Sequence, residues 1–150
     1  MKTCDIAKVV NEKVHGSPHG ICAVFVALND RWGIKMFDYE YKRDEVYGRQ
    51  KSAAKHGLGP DVGGKIDLHD GDYNYGYITE KVETLIDTYT SMMSDNFDWD
   101  EYDKAKDEYE DELGRLKEEL EEIGLTFEDN HPANVGWKNG RLVCIDFGED

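Results

Sequence analysis

The strongest constraint in this chain is a dipeptide. Asn139-Gly140 stands between VGW (135–137) and RLVCIDF (141–147), two short runs of strand-forming residues. Asn-Gly tolerates the positive φ angles of a two-residue hairpin turn, whose twist matches that of the strands it joins. The chain must double back here. Doubling back brings the residues just before the first strand, Asn134 among them, beside those that end the second, Asp146 among them.

Other segments show their own periods. ICAVFVAL (21–28) is short, apolar and β-branched, and RWGIKMFDY (31–39) alternates; with Asn29-Asp30 between them they predict an antiparallel hairpin. A further strand is expected at Ala7–Val10, ahead of the Gly/Ser/Pro loop HGSPHG (15–20). KRDEVYGRQKSAAKHG (42–57) predicts a helix, with acids near its start, bases near its end, Gly57 as C-cap and Pro60 as a stop. Two short strands are expected within 62–80, around the turn-rich DLHDGDYN. TEKVETLIDTYTSMM (79–93) predicts a helix with Val82, Leu85, Ile86, Tyr89 and Met93 on one face. In 101–124 apolar residues from Tyr102 to Ile123 recur every three or four positions, so a long amphipathic helix is expected, closed by Gly124 and acidic on its other face. No repeat or low-complexity linker interrupts the 150 residues, which are enough for one domain with its own core. The order of elements is that of an α+β fold.

The 33 acids outnumber the 18 Lys and Arg, giving a formal net charge of −15. Such a surface repels a nucleic-acid backbone or an anionic membrane, so neither is expected as the main partner. It favours cationic partners, or acids that hold metal ions, and it leaves open a surface that mimics nucleic acid. The longest apolar run, 21–28, falls far short of the about 20 residues a membrane helix needs. The start, MKTCDIAKVVNEK, lacks the apolar core of a signal peptide. Cys4, Cys22 and Cys144 are odd in number and scattered, which predicts reduced thiols in a cytoplasmic protein rather than disulfides or a zinc site. Asp61, Asp67, Asp70 and Asp72 lack the ligand spacing of a calcium loop and read as a solvated turn.

The chemistry-bearing residues gather around the terminal hairpin. Asp129, His131, Pro132 and Asn134 form D-x-H-P-x-N, and Asp146-Phe147-Gly148 follows the second strand. Transfer of a phosphoryl group from ATP needs hard oxygen ligands for Mg²⁺, a carboxylate to orient the acceptor hydroxyl, a lysine against the phosphates and a glycine-containing turn beside them. Asn134 and Asp146 offer the oxygens, Asp129 the carboxylate, and Pro132 stiffens the loop.

This pairing of motifs resembles the protein-kinase-like superfamily. D-x-H-P-x-N is similar to the form found in its small-molecule branches, such as aminoglycoside phosphotransferases, and in atypical kinases. The resemblance implies a β-rich N-lobe over about residues 1–80 and a reduced helical C-lobe over 81–150, within one minimal kinase-like domain. It implies ATP and Mg²⁺ as cofactors. Asp129 takes the place of the catalytic base, Lys35 that of the phosphate-contacting lysine on the third strand, and Glu45 that of its glutamate partner on the next helix. Gly16, Ser17 and Gly20 fall at the phosphate loop, Glu80 and Val82 at the hinge that holds adenine through backbone groups, and Asn134 and Asp146 at the metal. His131 is expected to orient its loop by hydrogen bonding.

The chain also departs from that pattern. HGSPHG is not G-x-G-x-x-G, and Pro18 has no amide to offer. Phe127 and Glu128 stand where the family has His and Arg, which argues against activation through a phosphorylated loop. The sequence stops at Asp150, before the activation segment and helical subdomain that build most of the family's acceptor site. A minimal core is therefore expected, whose acceptor is undefined and whose site a partner subunit or a homodimer could complete. The alternative reading is an acidic binding or regulatory protein on the same scaffold, engaging a basic partner without catalysis.

Overall fold

A computed structural model describes residues 6, 8–10, 23–69, 71–84, 98–126 and 134–147. In chain order the elements are β1 (Ala23–Ala27), β2 (Trp32–Phe37), α1 (Glu40–Lys55), β3 (Val62–Asp67), β4 (Tyr75–Glu80), β5 (Glu83–Thr84), α2 (Trp99–Glu122), β6 (Val135–Lys138) and β7 (Arg141–Cys144). The fold is α+β, with antiparallel sheets. Two compact units divide it. One runs through Lys51 and from Asp61 to Lys81; the other comprises Ser52–Pro60 and Val82–Phe147.

The first unit is a four-stranded sheet in the order β1-β2-β4-β3. The Asn29 side chain closes the β1–β2 hairpin by accepting from Arg31 N–H (2.9 Å) and Trp32 N–H (2.8 Å). Alternation along the strands then sorts the side chains between two faces. Val24, Val26, Ile34 and Met36 share one face and are buried with Ile6, Val10 and Leu68. Gly76 lies opposite Met36 in the register, and a Cβ there would collide with Met36 Sδ and lie 2.8 Å from Lys35 O, so the thioether occupies the place of a side chain.

The opposite face carries α1. Tyr77 stacks on Phe37 (6.0 Å between centroids) and meets the Tyr47 ring edge-on (5.2 Å). The buried side of α1 in this unit is Arg43, Val46 and Gln50, spaced three and four apart as one helical face requires. Two of the three are polar. Arg43, with its side chain only 4% exposed, donates to Asp44 (2.7 Å), Asp67 (2.9 Å), Gly76 O (3.2 Å) and Ile66 O (3.3 Å). A guanidinium can be buried this way because its several donors meet acceptors already fixed by the sheet. Hydrogen bonding from Lys65 first, and then from Arg43, holds the Asp44 carboxyl below its ordinary range.

The second unit contains the sheet β5-β6-β7 and α2. Asn139 (φ 53°) and Gly140 (φ 77°) both adopt the left-handed conformation of a two-residue hairpin turn, so Lys138 pairs with Arg141 and Trp137 with Leu142. The pair flanking such a turn is hydrogen-bonded, and pairs then alternate, so the backbone groups of Leu142 and Cys144 point away from β6. β7 is an edge strand, and these outward groups are covered. Leu142 N–H donates to Glu112 (3.1 Å), Arg115 donates to Leu142 O (2.7 Å), and Cys144 N–H donates to Leu58 O (3.0 Å). Arg141 also donates to Glu112 (3.0 Å), and Arg115 to Glu112 (2.9 Å) and Glu119. α2 starts at Asp98, whose carboxylate accepts from Asp100 N–H (2.9 Å), and it buries Leu116 and Leu120; Gly124 follows in the left-handed region (φ 82°).

Two expectations fail. Residues 8–10 are helical, not a strand, and burial of Ile6 and Val10, four positions apart, is the helical spacing that the short β-branched run concealed. A helix does not begin at Thr79: Thr79 and Glu80 finish β4, paired with Gly33 and Trp32, while Glu83 and Thr84 pair with Trp137 and Gly136 as β5. Cross-strand partners outweigh the local period there; residues 85–93 of that segment lie outside the described residues.

Arg43→Met should destabilise the chain by about 2–3 kcal/mol, because the charge-assisted bonds of a buried guanidinium to Asp44, Asp67 and the Gly76 and Ile66 carbonyls are lost together. Lys42→Met, which removes a partly exposed pair with Asp38, should cost less than about 1 kcal/mol. Urea unfolding of the two variants distinguishes them, and equal losses would count against the buried role of Arg43.

Glu112 gives a pH signature. Burial pushes its carboxyl up, but hydrogen bonds from Arg141, Arg115 and Leu142 N–H together outweigh this and hold it at about 2, against an ordinary 4.5. A carboxyl depressed by folding stabilises fully above its unfolded value and loses that contribution as pH falls toward the folded one. Between about pH 4.5 and about pH 2 the wild type should therefore lose about 1–2 kcal/mol more than Glu112→Gln, allowing for partial solvent screening. Superimposable urea-midpoint profiles for the two proteins would show that the carboxylate contributes nothing.

Candidate functional site

Two groups of the expected site residues fall within the described structure, one in each unit. In the first unit β2 places Lys35 at the centre of the sheet, paired with Phe25 on one side and Tyr77 on the other. The side chain is half-buried and shares the face of the sheet with Tyr77, the face that α1 covers. Glu45 lies on α1 but off its buried side. Its carboxylate is 57% exposed and pairs with Arg49 one turn on (3.8 Å).

Glu80 ends β4 and is tied to Asp61 twice: its N–H donates to Asp61 O (2.8 Å) and its carboxylate accepts from Asp61 N–H (3.2 Å). In the next peptide Lys81 N–H donates to Arg31 O (2.7 Å). Val82, in the second unit, packs over Gly136, where a Cβ would lie 2.9 Å from Val82 Cγ1 and would strike Glu83 O. Gly16, Ser17, Gly20 and Asp129 lie outside the described residues.

The second group is the hairpin end. The β6–β7 ladder runs to Val135 paired with Cys144, and Ile145 N–H carries it one step further by donating to Asn134 O (2.8 Å). Asn134 and Asp146 therefore stand at the same end of the hairpin, separated by one position across the ladder. Asp146 is exposed, whereas Phe147 after it is buried beside Gly59. At Gly59 a Cβ would come 2.9 Å from Phe147 Cζ, so the ring fills the space a side chain would take. Cys144 Sγ donates to Asp146 O (3.1 Å), which fixes the peptide that carries the carboxylate. The Asn134 amide oxygen and the Asp146 carboxylate are hard donors of the kind Mg²⁺ accepts, with water and phosphate oxygens filling the other positions. Among the described residues no group of three or more His, Cys, Asp or Glu converges on a common point, and no helix is long and apolar enough to cross a membrane.

No family model, curated protein or solved structure matches the chain. Function must be argued from its own residues.

Sequence reasoning singled out neither Gln50 nor Thr79. Both are buried, and the Gln50 amide joins the Thr79 and Tyr77 side chains. A helix that buries polar residues has no apolar stripe, so periodicity leaves its inner face unmarked.

If Phe147 seats Asp146, Phe147→Ala should cost about 3 kcal/mol in thermal unfolding, through the transfer and cavity contributions of a buried ring. Asp146→Asn, at an exposed position, should stay within about 1 kcal/mol of wild type. A large loss of stability in Asp146→Asn would give the carboxylate a structural role and weaken its claim as a ligand.

Proposed function

We propose that the chain is a kinase-like protein that binds ATP with Mg²⁺ and transfers the γ-phosphoryl group to a hydroxyl acceptor. The observation that carries this reading is the hairpin end, where the ladder through Ile145 N–H and Asn134 O sets Asn134 next to Asp146. Support comes also from the order of the chain: a lysine on a central strand, then a helix with an acid, then the strand that ends at Glu80, then the hairpin.

In this reading Asn134 and Asp146 hold the metal, which when bound offsets the negative charge of the phosphates. Lys35 contacts the α- and β-phosphates. Glu45 is a partner for Lys35 only once its side chain leaves Arg49. Asp129 accepts the acceptor's proton as the hydroxyl oxygen bonds to the γ-phosphorus and the bond to the β-phosphate oxygen breaks, leaving ADP. The acceptor is a hydroxyl compound of unspecified class.

One observation favours a second reading, an acidic binding protein that engages a basic partner. α2 exposes Asp100, Glu101, Asp103, Asp107, Glu108, Glu110 and Asp111 against only two exposed lysines in the same stretch, Lys104 and Lys106.

Calorimetric titration with ATP separates the two. Kinase-like function expects binding that needs Mg²⁺ and weakens at least about tenfold in Asp146→Asn, a change of about 1.4 kcal/mol. Absence of ATP binding with and without Mg²⁺ would sink it and leave the acidic reading, whose partner binding should weaken steeply with salt.

A further inference from the structure

The inner face of α1 reaches the end of β4 through a chain of hydrogen bonds whose first two members are buried. Tyr77 O–H donates to Gln50 Oε1 (2.5 Å), Gln50 Nε2 donates to Thr79 Oγ1 (2.7 Å), and Thr79 O–H donates to Glu80 O (3.3 Å). Gln50 is 1% exposed, Tyr77 0% and Thr79 5%, so the two bonds of the Gln50 amide form away from water and hold the Thr79 hydroxyl firmly, while its bond to Glu80 O is part-buried. An apolar side chain would fill the place of Gln50 at less cost unless the amide did something its replacement cannot.

The place where the chain of bonds ends is informative. In the β2–β4 ladder, Lys81 N–H on Arg31 O makes 31/81 a bonded pair, so the backbone of Glu80 turns away from β2. Its N–H goes to Asp61, and its carbonyl receives the Thr79 hydroxyl. The Thr79 bond is thus a side-chain tie that orients the carbonyl of the peptide after Thr79.

We propose that Gln50 and Thr79 are positioning residues for the nucleobase: they fix the Glu80 carbonyl so that the backbone after β4 reads the edge of the base. The inference rests on the proposed nucleotide site and adds to it the residues that set its base end. It assigns to α1 a task separate from any contact of Glu45 with Lys35. It also means that the phosphates and the base depend on different residues of the chain.

Thr79→Val keeps the shape and removes the hydroxyl, while Thr79→Ser keeps the hydroxyl. Binding of MgATP and of Mg-tripolyphosphate, which has no base, is measured for wild type and both variants. Thr79→Val should weaken MgATP about tenfold and leave tripolyphosphate unchanged, and Thr79→Ser should restore MgATP to within about twofold of wild type. Equal loss of both ligands, or MgATP binding as in wild type, would overturn the proposal. Hydrogen exchange at the Glu80–Val82 amides is measured alongside, so that positioning is judged even if wild type binds no ATP and the nucleotide reading itself falls. Faster exchange in Thr79→Val than in Thr79→Ser supports the tie; identical exchange in both refutes it. Gln50→Leu, if it folds, should repeat the Thr79→Val pattern.

Discussion

The second unit depends on the register that a two-residue turn imposes. Because Asn139 and Gly140 both take positive φ, Lys138 and Arg141 form the bonded pair, and every second residue of β7 must then face outward. Those outward groups need partners, and α2 and the Leu58 carbonyl supply them. The same register decides that Asn134 meets Ile145 and so stands next to Asp146. A slip by one residue would turn Leu142 and Cys144 toward β6, leave Glu112 and Arg115 without their backbone partners, and change the residue that Asn134 meets. Edge protection and site geometry are consequences of one turn.

The first unit solves a different problem. Its sheet has one apolar face, closed by Ile6 and Val10, and one face on which aromatic rings, an arginine and an amide lie under α1. The apolar face contributes through area removed from water, without regard to direction. The polar face contributes through direction: each guanidinium or amide bond fixes where a strand end points. The helix that follows the Lys35 strand is held by geometry more than by greasiness.

That contrast explains what could be seen from the amino acids. The hairpins were legible because Asn29-Asp30 and Asn139-Gly140 mark turns by their own conformational preferences. α2 was legible because Leu116 and Leu120 recur on an apolar stripe. The α+β class followed from these. At Ala7–Val10 a run of β-branched residues was too short to reveal its period, and burial of Ile6 with Val10 decided for helix. At Thr79 a helical spacing existed on paper, yet pairing of Thr79 with Gly33 and of Thr84 with Gly136 took residues 79–80 and 83–84 into strands of two sheets. The polar side of α1 left no mark, since Arg43 and Gln50 look like surface residues until their partners, distant in sequence, are known. Of the candidate site, Asn134 with Asp146 was legible through the turn, whereas Glu45 was matched by position only and its neighbour Arg49 was not weighed.

Met36 shows what tight packing implies for chemical damage. Its thioether is fully shielded and occupies the space that Gly76 leaves open, with backbone on the far side. Oxidants reach that sulfur only when the sheet opens. An added oxygen would find no room on reclosure, and a polar sulfoxide would sit in the apolar face. Each opening in an oxidising medium is thus a chance of loss that lasts until the sulfoxide is reduced, so the sulfur turns transient excursions into a cumulative record, and the protein's working lifetime is tied to how seldom β2 and β4 part.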